Sequence, residues 1–580
     1  MTAESAIWMI QGYPDSQLQF HILELAQAAD KAPTRTGAPK TMSTDASPQA
    51  ETSQTAGEGP RHPRALAPGN LVLTVVLSVF GAVVGVQLLA TLGVTPSTSL
   101  IGALAAMTLA RVPLVWFRGF RSVHAQNLAQ TSISSATFGA ANSLFLPIGI
   151  PFLFGMDNMI IPMLVGVSAA MLVDAWLLYR MYDTPAFPAK NPWPPGLAAA
   201  EAIKAGDEGG RRAKVLGLGL LTGLAGAAFT LPMSAFGVAL IGGFAAMAAF
   251  GVGLLFSQYA DPLFGLDLGA MYLPHGMMMG AGLVALVQVG RTILKARRAP
   301  VDGTRAKGPA GAPDLGRSMR LGFGAYLVIS VLLAFGTGAA THMSPGMLIG
   351  FLLYATVAAF LHELLVGIAS MHSGWFPAFA IALITLLLGI LIGFPPEALV
   401  VLSGFTAATG PAFADMGYDL KAGYLLRGED ADPAFELEGR RQQLIAAMIG
   451  FGVAIVVVLV SYRIFFDNGQ TAPIDAAYVA AIKAGPSAET ARDLALWAIP
   501  GAIVQLIGGS KRQLGILLAT GLLITTPMAG WMVAAGIAVR VLAPRLLGPK
   551  VKDDLEVFAG GAIAGDALYS FGNGVFKAAK

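Results

Sequence analysis

The stretch PGMLIGFLLYATVAAFLHELLVGI, residues 345–368, decides how this chain is read. A bilayer's hydrocarbon core, ~30 Å thick, takes about 20 mostly apolar helical residues to cross, and this stretch is long enough. Its only charged or imidazole side chains are one adjacent pair, His362 and Glu363. Runs of the same kind recur near residues 70–92, 97–117, 131–155, 157–180, 213–233, 236–257 and 268–290, and again near 319–340, 376–394, 397–414, 442–466, 493–509, 513–541 and 556–577. Counted by a sliding window, they give about fifteen crossings or near-crossings.

Composition points the same way. Of the 580 residues 55% are apolar and 12% charged, where a soluble domain carries about 25% charged residues. Seventy glycines suit membrane helices whose backbones approach closely, and a net charge of +3 gives no footprint for nucleic acid. With no cysteine, disulfides, thiolate metal sites and cysteine nucleophiles are excluded. The expectation is an all-α, polytopic integral membrane protein of about 14–16 transmembrane helices, multi-pass in the inner (cytoplasmic) membrane, with lipid as its solvent, no cofactor, and a homo-oligomer left open.

Residues 1–67 are of a different kind, rich in Ser, Thr, Ala, Pro and charge and without a run long enough to span. They read as a disordered tail in which Leu18–Ala28 has the pattern of a short amphipathic helix, and nothing there has the layout of a cleaved signal peptide. Lys and Arg cluster in 118–124, 190–214 and 291–320, which places all three loops in the cytoplasm. Three apolar runs separate the last two, so one of them must be re-entrant or broken. Tyr272-Leu273-Pro274-His275-Gly276 and Thr525-Thr526-Pro527-Met528-Ala529-Gly530 are the candidate breaks, because Pro and Gly free backbone groups that must then be satisfied inside protein.

The chain also repeats itself. Ala202-Ile203-Lys204-Ala205-Gly206 returns as Ala481-Ile482-Lys483-Ala484-Gly485, each following a proline, Pro195 or Pro473, that opens a polar stretch. Gly85 through Pro96 matches Gly367 through Pro377, and Thr131 to Ala140 matches Thr406 to Ala414, at nearly the same offset. Two related halves are expected, 68–342 (ending with the basic loop 291–320) and 343–580. Such duplications hold substrate near the membrane midplane on helices that break there, and the Pro96 and Pro377 segments have that look.

One stretch is more specific than the rest: Ala412-Phe413-Ala414-Asp415-Met416-Gly417-Tyr418-Asp419-Leu420-Lys421-Ala422-Gly423-Tyr424-Leu425-Leu426 closes an apolar run with two acids and a lysine. Its Asp419, Lys421, Gly423 and Tyr424 resemble the Asp-Leu-Lys-Thr-Gly-Tyr signature of the oligopeptide transporter superfamily, which includes yellow-stripe-like metal–chelate carriers. Gln126-Asn127-Leu128-Ala129-Gln130-Thr131 is similar to that family's Glu-Asn-x-x-x-Gln-Thr-type segment, with Gln126 in place of the Glu. Pro195 to Glu201 resembles its Pro-Ser-Gly-Thr-Ala-x-Ala-Glu segment, and Gln442-Gln443 sits where related bacterial chains carry a Gln pair. The small polar segment Gly-Ser-Ser-x-Asn-Pro has become Gly367 to Pro377. The resemblance runs in register from Pro68 to the C-terminus and implies about sixteen helices and proton-coupled uptake of small peptides or of metal bound to peptide-like chelators.

Individual residues carry two readings each. Glu363 at mid-span is read as a proton carrier, since ionisable groups there are costly; the plainer alternative is a satisfied interhelical hydrogen bond. Asp415 and Asp419 lie four apart on one helical face, where an acid pair can hold a transferable proton, or else Asp419 and Lys421 merely close a helix in a solvated mouth. Asn127, Gln130, Thr131, Ser134, Ser135 and Thr406 offer the neutral hydrogen-bonding groups a peptide-like ligand needs. Asp174 reads as a partner of Arg180 at the membrane surface. Met271, His275, Met277, Met278 and Met279 form a ligand set soft Cu(I) would accept, although methionine as core filler is the simpler account, and no metal site is assigned.

No zincin His pair follows His362-Glu363, and neither Gly-x-Ser-x-Gly nor a phosphate-binding loop occurs, so a membrane-embedded enzyme or an ATPase has no signature here. A channel is the third class, disfavoured by broken helices at repeated positions. Within carriers, a free metal-ion transporter is the alternative to peptide or chelate symport.

Overall fold

The computed structural model describes residues 62–92, 102–103, 122–298, 315–374, 376–524, 526 and 528–578. The tail to residue 61, the Leu18–Ala28 helix, the Pro96 break, Arg118, Arg121 and loop residues 299–314 lie outside them. Among the described residues there is no β-strand.

The helices are α1 Pro68–Leu92, α2 Val123–Phe138, a π-helical turn Gly139–Phe145, α3 Leu146–Phe154, α4 Ile160–Met181, α5 Pro194–Glu208, α6 Gly210–Ala228, α7 Met233–Ile241, α8 Phe244–Phe264 and α9 Leu273–Arg298. They continue with α10 Leu315–Gly336, α11 Pro345–Ser373, α12 Ala378–Ile392, α13 Pro396–Ala408, α14 Pro411–Leu426 and α15 Pro433–Asp467. Then follow α16 Pro473–Ala484, α17 Ala488–Arg512, α18 Leu514–Leu523, α19 Ala529–Leu547 and α20 Val551–Ala578.

Seven described helical stretches are long and apolar enough to cross a membrane: Val123–Phe154, Asp157–Met181, Leu315–Gly336, Pro345–Ser373, Pro396–Leu426, Pro433–Asp467 and Ala529–Leu547. Their outward faces stay apolar. On α15, Val456, Leu459, Val460 and Ile464 are all exposed, which in water would be an aggregation surface and in a bilayer meets acyl chains. The chain is a multi-pass membrane protein.

The order of elements recurs. Full helix, broken pair, full helix, short amphipathic helix, long helix, short helix and two long helices describe α1 to α9, with 93–121 interposed, and equally α11 to α20 with α12 interposed. Contacts recur with exchanged partners. Helix α6 runs along α20, and its counterpart α17 along α9; α7 meets α19, and α18 meets α8; α2 meets α15, and α13 meets α4. Glycines permit these approaches, since a Cβ on Gly450 of α15 would strike the Ser132 carbonyl of α2, and one on Gly223 of α6 the Ala562 carbonyl of α20.

Three apolar runs prove to be two helices each. The 236–257 run divides into α7 and α8 at Gly242-Gly243, the 397–414 run into α13 and α14 at Thr409-Gly410, and the 513–541 run into α18 and α19. The last break overlaps the Thr525–Gly530 segment expected to carry it, whose Ala529 and Gly530 begin α19 and whose Thr525 and Pro527 lie outside the described residues. Pro274 does not break a span. It occupies the first turn of α9, where a missing N–H costs nothing. The break that the loop charges ask for between 214 and 291 is at Gly242-Gly243, because α7, with nine residues, reaches only ~14 Å along its axis, too short to cross.

Candidate functional site: a closed polar seam beside a broken helix

Helix α2 reads as an unlikely membrane helix, with Gln126, Asn127, Gln130, Thr131, Ser132, Ser134, Ser135 and Thr137 in sixteen residues, and all of these are buried. It persists because its polar groups find partners across two interfaces. Gln130 Nε2 donates to Asp419 Oδ1 at 2.5 Å and Ser134 Oγ to Asp415 Oδ1 at 2.6 Å, so α2 and α14 close as a seam with two rungs. Asn127 Nδ2 donates to Gln130 Oε1 at 2.9 Å and orients the amide. From α15, Gln443 Nε2 donates to the Asp419 carbonyl at 2.6 Å and to Thr131 Oγ1 at 3.2 Å. The spacing of four that put Asp415 and Asp419 on one face thus aims both at α2, and not into a solvated mouth. Asp415 and Asp419 are 1% and 0% exposed, and Ser135 lies in the same buried stretch.

Both helices of the seam are irregular beside it. α2 runs into the π turn Gly139–Phe145, in which Asn142 Nδ2 donates to the Phe138 carbonyl at 3.2 Å. α14 begins after Gly410, whose φ of +93° only glycine adopts comfortably, with Pro411 at the first helical position. Two irregular segments at corresponding places of the repeat face one polar seam.

Thr406 does not join it. Its hydroxyl donates to the Leu402 carbonyl at 2.8 Å and meets Thr385 of α12 at 3.3 Å, on the other side of the break.

The four segments that carry the sequence signature converge. Lys421 Nζ donates to the Ala189 carbonyl at 2.9 Å and lies 5.4 Å over the Tyr424 ring, tying the signature helix to the loop before α5. Gly196 of α5 sits where a Cβ would strike the Tyr418 carbonyl, and Gly423 where one would strike the Gln443 amide and the Arg427 guanidinium. Arg427 in turn pairs with Glu436 at 2.6 and 3.0 Å and with Gln443 Oε1 at 2.8 Å. Gln126 is buried with its Oε1 unpartnered.

At the C-terminal end of α14, a cavity of about 430 Å³ opens, lined by Glu201, Lys204, Arg212, Glu429 and Glu556 among others. It lies beside the basic 190–214 segment, and Leu425 in its wall is six residues beyond Asp419, or ~9 Å along the helix.

Asp174 is not at a surface and does not pair with Arg180, whose Nε donates to Ser318 at 3.3 Å. Asp174 is fully buried, and its Oδ2 accepts the N–H groups of Gly410 at 2.7 Å and Phe413 at 3.0 Å. A carboxylate borrowed from α4 thereby caps the start of α14, where unpaired donors and the helix dipole favour negative charge. The Tyr326 hydroxyl of α10 bridges Asp174 Oδ1, at 2.9 Å, to Glu363 Oε2. Sequence reasoning singled out Glu363 and missed both partners; a lone tyrosine in an apolar run carries no signal. His362 faces away, with Nε2 2.7 Å from the Ala378 carbonyl and Nδ1 3.3 Å from Thr409 Oγ1. Of the Met cluster, Met277 and Met278 are buried in the core and the His275 ring lies 5.9 Å from Tyr272. Among the described residues, no three His, Cys, Asp or Glu converge as a metal site would require.

The family model described as OPT oligopeptide transporter protein matches residues 70–301 and 291–577. The chain belongs to this family. It is therefore a membrane transporter, of a family of transporters and not of enzymes. Among curated proteins, none matches the chain closely.

Proposed function

We propose that this transporter is a secondary active carrier that brings oligopeptides, or metal bound to peptide-like chelators, across the inner membrane into the cell with protons. The observation that carries the reading is the seam itself: two carboxyls and two hydrogen-bonding side chains, fully buried and paired across two irregular helices. Ionisable groups at membrane depth are costly and are kept where a polar ligand or ion passes. Family membership supports the oligopeptide part of this cargo. When α2 and α14 separate, Gln130, Ser134, Asn127 and Thr131 expose amide and hydroxyl groups matched to a peptide backbone, and Asp415 and Asp419 expose acceptors for its ammonium end. The charged cavity beyond Leu425 is the vestibule on the cytoplasmic side, with the division between halves placed at 342/343.

The test is uptake in a transport-deficient host offered peptide, chelate and free metal in parallel, with and without a protonophore. Accumulation of peptide or chelate that the protonophore abolishes supports the reading. Uptake of free metal alone, or uptake indifferent to the protonophore, overturns it.

A further inference from the structure

We propose that Asp174, Tyr326 and Glu363 form one exchangeable-proton site, with the proton on Glu363 Oε2 directed through the Tyr326 hydroxyl to Asp174, and that this proton latches the start of α14 to α4, α10 and α11. The inference rests on the proposed proton-driven carrier but is carried by a count of hydrogens. The Tyr326 oxygen is within hydrogen-bond reach of Asp174 Oδ1 and of Glu363 Oε2. A phenolic hydroxyl has one hydrogen to donate. If both acids were ionised, one of those two contacts would set oxygen against oxygen with no hydrogen between them.

The partners say which acid holds the second hydrogen. Asp174 accepts from two backbone N–H groups at the positive end of α14 as well as from Tyr326, the acceptor load of a carboxylate. Glu363 Oε1 accepts from nothing. Glu363 is thus the acid: it donates to Tyr326, which donates to Asp174. Apart from the direct approach of the two carboxyls to each other, nothing else near the site competes. Among the described residues no ion pair reaches either carboxyl. His362 on α11 is turned to Ala378 and Thr409, Arg180 on α4 to Ser318, and Asp415 on α14 to Ser134, while α11 and α13 set the rings of Phe360 and Phe405 around Tyr326.

Loss of the proton leaves two negative carboxyls bridged by one phenol, fully buried, and the relief open to them is separation. Moving Asp174 away uncaps Gly410 and Phe413 and frees the first turn of α14. The next turn of that rigid helix carries Asp415, so proton occupancy and the seam are coupled through one element.

Two readouts test this with the full chain. Infrared spectra of purified wild type and Glu363→Gln at neutral pH, subtracted, should show one protonated-carboxyl stretch that the variant lacks; Tyr326→Phe should keep the band and shift it as its hydrogen bond weakens. A difference spectrum without that band, or a band lost in Asp174→Asn and kept in Glu363→Gln, overturns the assignment. In proteoliposomes, Tyr326→Phe and Glu363→Gln should lose pH-gradient-driven accumulation while retaining exchange of cargo, and full gradient-driven accumulation by both variants sinks the latch. If wild type shows the band but no gradient-driven uptake, the proton site stands and the proton-driven carrier reading falls.

Discussion

Replacing Glu436 by Gln tests the structure where it is most committed. Glu436 is 1% exposed and accepts from Arg427 Nε at 2.6 Å, Arg427 Nη2 at 3.0 Å and Arg440 Nε at 2.7 Å. The Arg427 side chain is 0% exposed, so removing the anion leaves a desolvated guanidinium with Gln443 as its remaining partner, whereas Arg440 keeps Asp183 at 3.1 Å and Asp430 at 3.7 Å. Breaking a buried pair on one side costs about 3–5 kcal/mol. Asymmetry of the remaining partners predicts an order: Glu436→Gln and Arg427→Gln should each lose most of that, and Arg440→Gln clearly less. Thermal unfolding of detergent-purified protein, followed by loss of the monodisperse peak, reads the order. Arg427→Met with Glu436→Leu should recover part of the loss, since a buried pair is replaced more cheaply than it is broken. Wild-type melting of Glu436→Gln would refute the claim that the cluster holds the α14–α15 corner.

Three further outcomes follow from the same geometry. Gly410→Ala puts a Cβ 3.0 Å from Val366 and 3.2 Å from His362 on a backbone at φ +93°, a strain of about 1–3 kcal/mol that should show as lowered melting and lost uptake; wild-type behaviour would mean α14 need not break there. Gln130→Ala should weaken or re-rank competing peptides at near-normal expression, whereas Thr406→Val, whose hydroxyl serves α12 and α13, should leave cargo preference unchanged; the reverse pattern in a competition assay would move the site to the α12 side. Because the chain has no cysteine, single replacements Glu208→Cys and Arg291→Cys give a clean topology test, and labelling of either only from outside the cell would invert the proposed orientation.

How much of this was legible depended on periodicity and length. Spans near α1, α4, α10, α11 and α15 are long apolar runs, and the sequence shows them directly. α5 and α16 hid in polar stretches because each is short and buries polar groups with its apolar ones, Glu201 beside Ala198, Ala202 and Ile203 in α5 and Asp475 beside Tyr478, Val479 and Ile482 in α16, and such a helix has no run to find. Gly242-Gly243 and Thr409-Gly410 were invisible inside continuous apolar stretches, since a break costs no hydropathy. The seam is half legible: the small polar composition of 126–135 and the spacing of Asp415 and Asp419 point to it, but which residue faces which is a matter of helix rotation, which composition does not carry, and Thr406 turns to Thr385 instead. Asp174 failed for a plainer reason. Its position near the end of a run suggests a surface, yet α10 and α14 pack against that part of α4 and enclose it.

One contact shows how a repeated scaffold carries unlike chemistry. In one half, the short helix α5 brings Gly196 against Lys421 of the broken helix; in the other, α16 brings Asp475 against Gly149 of α3. The two crossings correspond, 196 with 475 and 149 with 421, with glycine and charged residue exchanged between the members of the pair. Each needs its glycine, because a Cβ on Gly196 would collide with the Tyr418 carbonyl and the Lys421 Cβ, and one on Gly149 with the Asp475 carboxyl. Lys421 finds the Ala189 carbonyl, but both oxygens of Asp475 are buried without a partner. A site that merely held helices together would gain by losing an unpartnered buried carboxyl. Its burial at the crossing equivalent to the signature lysine sets an acidic side chain in one half against a basic one in the other, at the two related points where short helices meet broken ones.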